Sequence, residues 1–173
     1  MEPVEINAGK FYLRALRADD RIDDRPAVVE GFTDPESMRW LPLYDVDTLE
    51  RAGDYIARRA AEWDAETRFS WAVADPLTAD LLGEVVLKDL DLDDGTAEAG
   101  CWAHPAVRGK GVTTEALRAM LRFGFHGLGL REIGYKYGPG NIASRRVAEK
   151  LGFVRVRETV GEVELVLCAD DLT

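Results

Sequence analysis

Between Arg108 and Thr113 the chain reads Arg-Gly-Lys-Gly-Val-Thr, and a stretch with helical apolar spacing follows it. The first amides of a helix have no intrahelical acceptor, and the macrodipole adds partial positive charge at that end. Glycines ahead of them remove side chains and let an anion approach the backbone closely. Arg108 and Lys110 bring formal charge to the same corner, so Arg108, Gly109, Lys110, Gly111, Val112 and Thr113 together suit a pyrophosphate. Two other phosphate loops are excluded by spacing. A nucleoside-triphosphate loop needs Gly-Lys followed by Ser or Thr, whereas Gly109-Lys110 is followed by Gly111, and the three glycines of a dinucleotide fingerprint are absent. On this hexapeptide alone, an ordinary glycine-broken turn is an equal alternative. A second segment, Asn141 to Phe153, opens another helix directly after a strand and carries Arg145, Arg146 and Lys150.

Charge and composition set the frame for that corner. The 173 residues are 46% hydrophobic with a net charge of −10, which suits one domain spanning 1–173 and excludes a disordered chain. Residues 1–100 carry 11 basic and 24 acidic side chains, while Arg108 to Lys150 carries nine basic and three acidic. An acidic surface repels phosphate backbones, so nucleic acid is not the expected partner; a local anion site inside a repulsive frame is. No apolar run approaches the roughly 20 residues of a membrane helix. Met1 to Lys10 lacks the apolar stretch of a signal peptide. Cys101 and Cys168 form neither a metal spacing nor a disulfide framework, so the expectation is a reduced, cytoplasmic protein with no metal.

The elements that must position the two segments are legible in outline. Phe11 to Leu16 predicts a first strand, and Asp19 to Gly31 a helix, followed by a segment broken by Pro35 and Pro42 around Phe32, Trp40 and Tyr44. Leu49, Ala52, Ile56, Ala60 and Trp63 recur at helical spacing behind an Asp47 or Thr48 cap. Phe69, Trp71 and Val73 alternate as in a half-buried strand. Leu81 to Leu90 and Thr96 to Ala103 predict a hairpin joined at Asp93-Asp94-Gly95. A helix with a broad apolar face runs from Val112 past Phe123, ended by Gly127 and Gly129. Ile133, Tyr135 and Tyr137 mark a strand, Asn141 caps a helix ending at Gly152, and Phe153 to Thr159 and Glu162 to Cys168 close the domain. The fold class is mixed α/β.

At this point the chain resembles the GCN5-related N-acetyltransferase (GNAT) superfamily, and most of all its RimJ/RimL-type branch of ribosomal-protein N-terminal acetyltransferases. The resemblance rests on Gly100 to Pro105, on Arg108 to Leu117 and on Asn141 to Phe153, with weaker echoes at Leu13-Arg14, Trp71 to Val73 and Leu82 to Glu84. It implies one strongly twisted sheet of about seven strands flanked by four helices. The sheet would split between its fourth and fifth strands, Thr96 to Ala103 and Arg131 to Tyr137, with acetyl-CoA in the opening. It also implies that backbone groups of Trp102, Ala103 and His104 receive the pantetheine arm and that Arg108 to Thr113 cradle the pyrophosphate. Asn141 would bond the pantetheine near the thioester, and Arg145, Arg146 or Lys150 would meet the 3′-phosphate.

The implied reaction is direct transfer to a primary amine on a protein or peptide terminus, with an antibiotic, metabolite or polyamine amine as the other option. A non-catalytic acyl-CoA-binding module is the rival from another class. Relatives often carry a tyrosine seven residues after the asparagine; here that position is Ala148, and the resemblance implies that Ser144 protonates the leaving thiolate instead, against the alternative of a first-turn serine satisfying backbone. Glu84 and Glu98 flank the expected cleft on adjacent strands, each a candidate base through water or a solvated strand residue. Trp40 and Tyr44 fall where the acceptor pocket is implied. Cys101, where relatives often have tyrosine, reads as buried and inert. Relatives of this kind are often homodimers.

Overall fold

The computed structural model describes residues 1–41 and 44–172; Pro42, expected to break the segment after the first helix, lies outside them. Eight strands alternate with five helices: β1 (Ile6–Asn7), β2 (Tyr12–Arg14), α1 (Arg25–Thr33), α2 (Pro35–Trp40), α3 (Leu49–Asp64), β3 (Arg68–Ala74), β4 (Leu81–Asp91), β5 (Thr96–Ala103), α4 (Val112–Arg122), β6 (Glu132–Tyr137), α5 (Ile142–Leu151), β7 (Val154–Glu158) and β8 (Val163–Cys168). The strands form one mixed sheet in the order β1-β2-β3-β4-β5-β6-β8-β7. Among the described residues, only β5 and β6 run parallel. The expected seven strands and four helices thus become eight and five. The additions are the two-residue β1 and the six-residue α2, both too short to leave a periodic signal.

The helix expected from Asp19 begins at Arg25 instead. Asp19 Oδ1 accepts from the amides of Arg21 (2.9 Å) and Ile22 (3.2 Å), closing a turn there, and Pro26 sits in the first helical turn, where its missing N–H costs nothing. The caps expected for α3 and α5 are present: Thr48 accepts from Arg51 N, and Asn141 from Ser144 N. The helix after Val112 continues past Arg122 as a π turn, Phe123–Gly127, so Gly127 lies inside the turn it was expected to end.

The core packs against both faces of the sheet. Phe69, Trp71, Val73, Val85 and Leu87 meet Leu117, Met120 and Leu121 of α4, while Ala72 on the opposite face joins Val28 and Phe32 of α1 and Tyr55 and Ile56 of α3. β3, expected to be half-buried, is therefore buried on both sides from Phe69 to Ala74. Trp63 of α3 reaches around to stack on Phe69 at 4.3 Å and donates its indole proton to Ser70 O. A fully buried bidentate pair, Arg14 to Asp24 at 2.7 and 2.8 Å, ties β2 to the start of α1.

Candidate active site in the sheet opening

β5 and β6 pair only from Thr96↔Glu132 to Ala99↔Tyr135. Beyond that, β5 stays with β4 as far as Ala103, and the sheet opens between Gly100–Ala103 and the end of β6. Trp40 sits across the gap: a Cβ on Gly138 would come within 3.1 Å of its ring. Two confluent cavities follow, of 510 Å³ toward α4 and α5 and of 340 Å³ toward α1 and α3. Trp40, Glu98, Cys101, Trp102 and Tyr137 line both.

The larger cavity ends on the start of α4. Gly109 and Gly111 hold φ of +74° and +79°, and nothing lies within 4 Å of where a Cβ would stand on either. Gly111 occupies the N-cap without a side chain to offer, so the amides of Val112 and Thr113 begin α4 with no intrahelical acceptor. α2, α3 and α5, by contrast, are each capped by a side chain. Arg146 and Lys150 of α5 stand on the same cavity wall, whereas Arg145 is turned to Glu149 at 2.8 Å. Open amides, glycines without overhanging atoms and two cations fit a diphosphate-bearing ligand.

The structure redistributes several expected contacts. His104 N–H donates to Leu82 O, and by strand alternation Trp102 also turns its backbone groups to β4; Cys101 and Ala103 turn theirs to the opening. His104 is spent elsewhere: its carbonyl accepts from Val107, its Nδ1 from Ala106 N (3.2 Å), and its Nε2 meets Glu30 at 2.8 Å. Lys110 folds its ammonium onto Ala106 O within its own loop (3.0 Å) and lies off the cavity wall. Arg108 lines the cavity, but its Nη2 is held by Asp34 (2.5 Å) and Ser37 Oγ (2.7 Å) of the α2 turn. The hydrogen bond from Arg108 keeps the Asp34 carboxyl below its usual pKa.

The smaller cavity is ringed by Phe32, Trp40, Tyr44, Tyr55 and Trp102, with Phe32 and Tyr44 stacked at 5.0 Å. Glu84 on its wall is 1% exposed. Its Oε2 accepts from Tyr55 Oη (2.6 Å) and Trp102 Nε1 (2.9 Å), while Oε1 has no hydrogen-bond partner among the described residues; Arg68 Nη2 stands 3.8 Å away. Burial first, then the Glu84 charge, pushes the Tyr55 phenol well above its usual pKa, so Tyr55 stays a donor. Glu98, the other candidate base, is clamped between Lys88 at 2.7 Å and Lys136 at 3.3 Å, and its charge raises the Lys136 pKa. Of the two carboxylates, Glu84 alone has a buried oxygen without a hydrogen bond, its charge met by Arg68 at 3.8 Å.

A family model for the acetyltransferase (GNAT) domain matches residues 10–154. The chain belongs to the GNAT family. Its relatives include "Probable N-acetyltransferase YjcK" of Bacillus subtilis (strain 168), 43% identical over 144 residues that cover 83% of this chain and 80% of the other. "Uncharacterized N-acetyltransferase YoaA" of the same organism is 28% identical over 75% of this chain and 73% of its own. The fold is shared with Mycobacterium smegmatis RimJ, solved with CoA-disulfide (TM-score 0.80, 19% identity, 98% of this chain and 87% of that one). It is shared as well with ribosomal-protein-S5-alanine acetyltransferase from Vibrio fischeri (TM-score 0.74, 17% identity, 98% and 99%).

In this GNAT chain the opposite face of the opening holds a hydroxyl pair that sequence reasoning half found. Ser144, in the first turn of α5, lies 2.6 Å from Tyr135 Oη, and its amide donates to Asn141 Oδ1 (3.1 Å). Tyr135 is 3.5 Å from Cys101 Sγ. Burial raises the Cys101 pKa to about 11, which leaves a protonated thiol and no nucleophile. Tyr135 was placed on its strand but given no role; strand parity with Ile133 and Tyr137 was the available signal. Tyr55, Arg68 and Asp34 were missed as well, because each acts through a partner far along the chain.

Proposed function

We propose that the protein is a single-domain, acetyl-CoA-dependent N-acetyltransferase whose acceptor is a primary amine, either a peptide or protein N-terminus or a small-molecule amine. The observation that carries this reading is the meeting of two cavities in the sheet opening: one ends on open helix amides, the other is lined by buried Glu84, whose Oε1 accepts no hydrogen bond. Acetyl-CoA supplies an activated thioester. The amides of Gly109, Gly111, Val112 and Thr113, with Arg146 and Lys150, hold its phosphates, while the Lys110 amide is spent on Val107 O, and Asn141 has a side-chain NH₂ left for the pantetheine arm. The backbone N–H of Ala103 faces the opening and is the donor for the oxygen that gains charge during transfer.

Glu84 takes the proton that an incoming ammonium must lose and passes it to solvent; the second proton, shed by nitrogen as the tetrahedral adduct collapses, leaves the same way while the thiolate departs. An α-amine with a pKa of about 7.7–8.0 gives it up more easily than a lysine at about 10.4, so the site is best matched to terminal amines. Ser144 donates toward the departing sulfur. A buried carboxylate oxygen that accepts no hydrogen bond favours catalysis over a purely binding module, since a module needs none beside its ligand. The test is calorimetry with CoA followed by thiol release from acetyl-CoA over a panel of peptides and small amines. Binding with release from at least one amine supports the proposal; binding without release from any would assign the chain to the module class.

A further inference from the structure

A chain of three groups lines the opening, Cys101, Tyr135 and Ser144, in which distance alone allows either donor at each link and donor strength decides between them. Tyr135 Oη lies between Cys101 Sγ (3.5 Å) and Ser144 Oγ (2.6 Å), and the tyrosine is 2% exposed, with its ring against Phe153 at 5.2 Å. A thiol is a weak acceptor, and burial keeps the Cys101 proton in place, so Cys101 is the donor to Tyr135. The Tyr135 proton then belongs on Ser144 Oγ, the shorter and better acceptor. Burial also raises the Tyr135 pKa well above its ordinary value, so that proton is not lost. Ser144 is pinned at its amide by Asn141 and at its oxygen by Tyr135, and it makes no other side-chain hydrogen bond among the described residues. Its own proton is left pointing into the larger cavity, whose wall it forms.

We infer that Tyr135 is a positioning residue for the leaving sulfur: by donating to Ser144 Oγ it turns the Ser144 proton into the cleft, where a thiolate accumulates. The inference rests on the acetyltransferase reading. No proton leaves Tyr135, and Ser144 contributes a charge-assisted hydrogen bond rather than a net transfer. In the reverse orientation Ser144 lone pairs would face the thiolate and repel it. The titratable side chains facing the pair are Cys101 from β5 and Tyr137 from β6. The cleft's charged groups, among them Arg146, Lys150, Lys136 and Glu98, are the same in every variant proposed below.

The experiment needs no acceptor. CoA, with its free thiol, is titrated calorimetrically from about pH 6 to pH 10 into the wild type, Ser144→Ala, Tyr135→Phe and the double variant, alongside S-methyl-CoA, which cannot ionise. The pH at which CoA affinity rises should move up by about one unit in Ser144→Ala, the loss of one hydrogen bond to a charged group, which is about tenfold in thiolate affinity. Tyr135→Phe should produce most of that shift, the double variant no more than Ser144→Ala, and S-methyl-CoA should bind all four alike. The inference is overturned by a Tyr135→Phe profile matching wild type, by shifts that add, or by an equal loss of S-methyl-CoA. Failure of either ligand to bind the wild type would remove the transferase reading itself, and this inference with it.

Discussion

Replacing Glu84 with glutamine tests the proton-accepting role of one oxygen. The amide oxygen can take the place of Oε2 and keep the bonds from Tyr55 and Trp102. Its NH₂ then occupies the position of Oε1, a buried atom with Arg68 Nη2 3.8 Å away. Shape and packing are retained, while basicity and the ion pair with Arg68 are lost together. A positioned base contributes about 10²–10⁴-fold, and an α-amine already partly neutral near pH 8 places this site toward the lower end, near 10²-fold or about 2.7 kcal/mol of barrier. The deficit should be in kcat, with CoA affinity unchanged, since Glu84 lies away from the phosphate corner. It should also shrink as pH rises through the acceptor's pKa, because an amine that arrives neutral needs no base. Thiol release measured between about pH 6.5 and 9 gives the profile. A deficit that stays constant across that range, or no deficit at all, would refute Glu84 as the base and leave it a structural acceptor for Tyr55 and Trp102.

Two further outcomes follow from the same geometry. Gly111→Ala places a methyl in the left-handed region at φ +79°, a strain of about 1–2 kcal/mol, beside the amides assigned to the pyrophosphate; calorimetry should show CoA affinity reduced about tenfold in a folded protein, and unchanged affinity would clear this corner of that role. Cys101, with a pKa of about 11, should resist alkylation at pH 8 while exposed Cys168 reacts, and its labelling rate should climb about tenfold per pH unit toward pH 11; rapid labelling of Cys101 at pH 8, followed by mass spectrometry, would contradict the burial assigned to it.

Much of the fold was legible because its signals are local. Thr48 and Asn141 cap the helices they precede, Gly152 ends α5, and the α4 corner is a contiguous hexapeptide. Charge carried less information than position. Arg108 and Lys110 were assigned to an anion because they are basic, yet Arg108 bonds Asp34, 74 residues earlier, and Lys110 bonds a carbonyl of its own loop. No property of the hexapeptide encodes the Asp34 turn, which exists because Pro35 opens the six-residue α2. Tyr135 and Ser144 illustrate the same gap: alternation put one on a strand and a cap put the other on a helix, but only the closed sheet brings their oxygens to 2.6 Å.

The choice between Glu84 and Glu98 turns on a single residue. The pairing Asp91↔Thr96 beside the hairpin turn, carried unbroken along the strands, would set Lys88 opposite Ala99 and Glu84 opposite Ala103. The observed partners are Lys88↔Glu98 and Glu84↔Trp102, one step displaced, because the register shifts between Lys88 and Asp91, where Asp89 adopts φ of +50°. A one-residue displacement changes which side chains stand on the same face. In the observed register Glu98 meets a lysine directly across the strands at 2.7 Å, while Glu84 meets an indole that donates to one oxygen and leaves the other without a hydrogen bond, 3.8 Å from Arg68. The bulge therefore decides which of the two carboxylates can fill the proposed role of base. An alternating strand sequence cannot announce it, since Asp89-Leu90-Asp91 reads as ordinary strand and turn in either register, and the difference emerges only when the sheet closes around it.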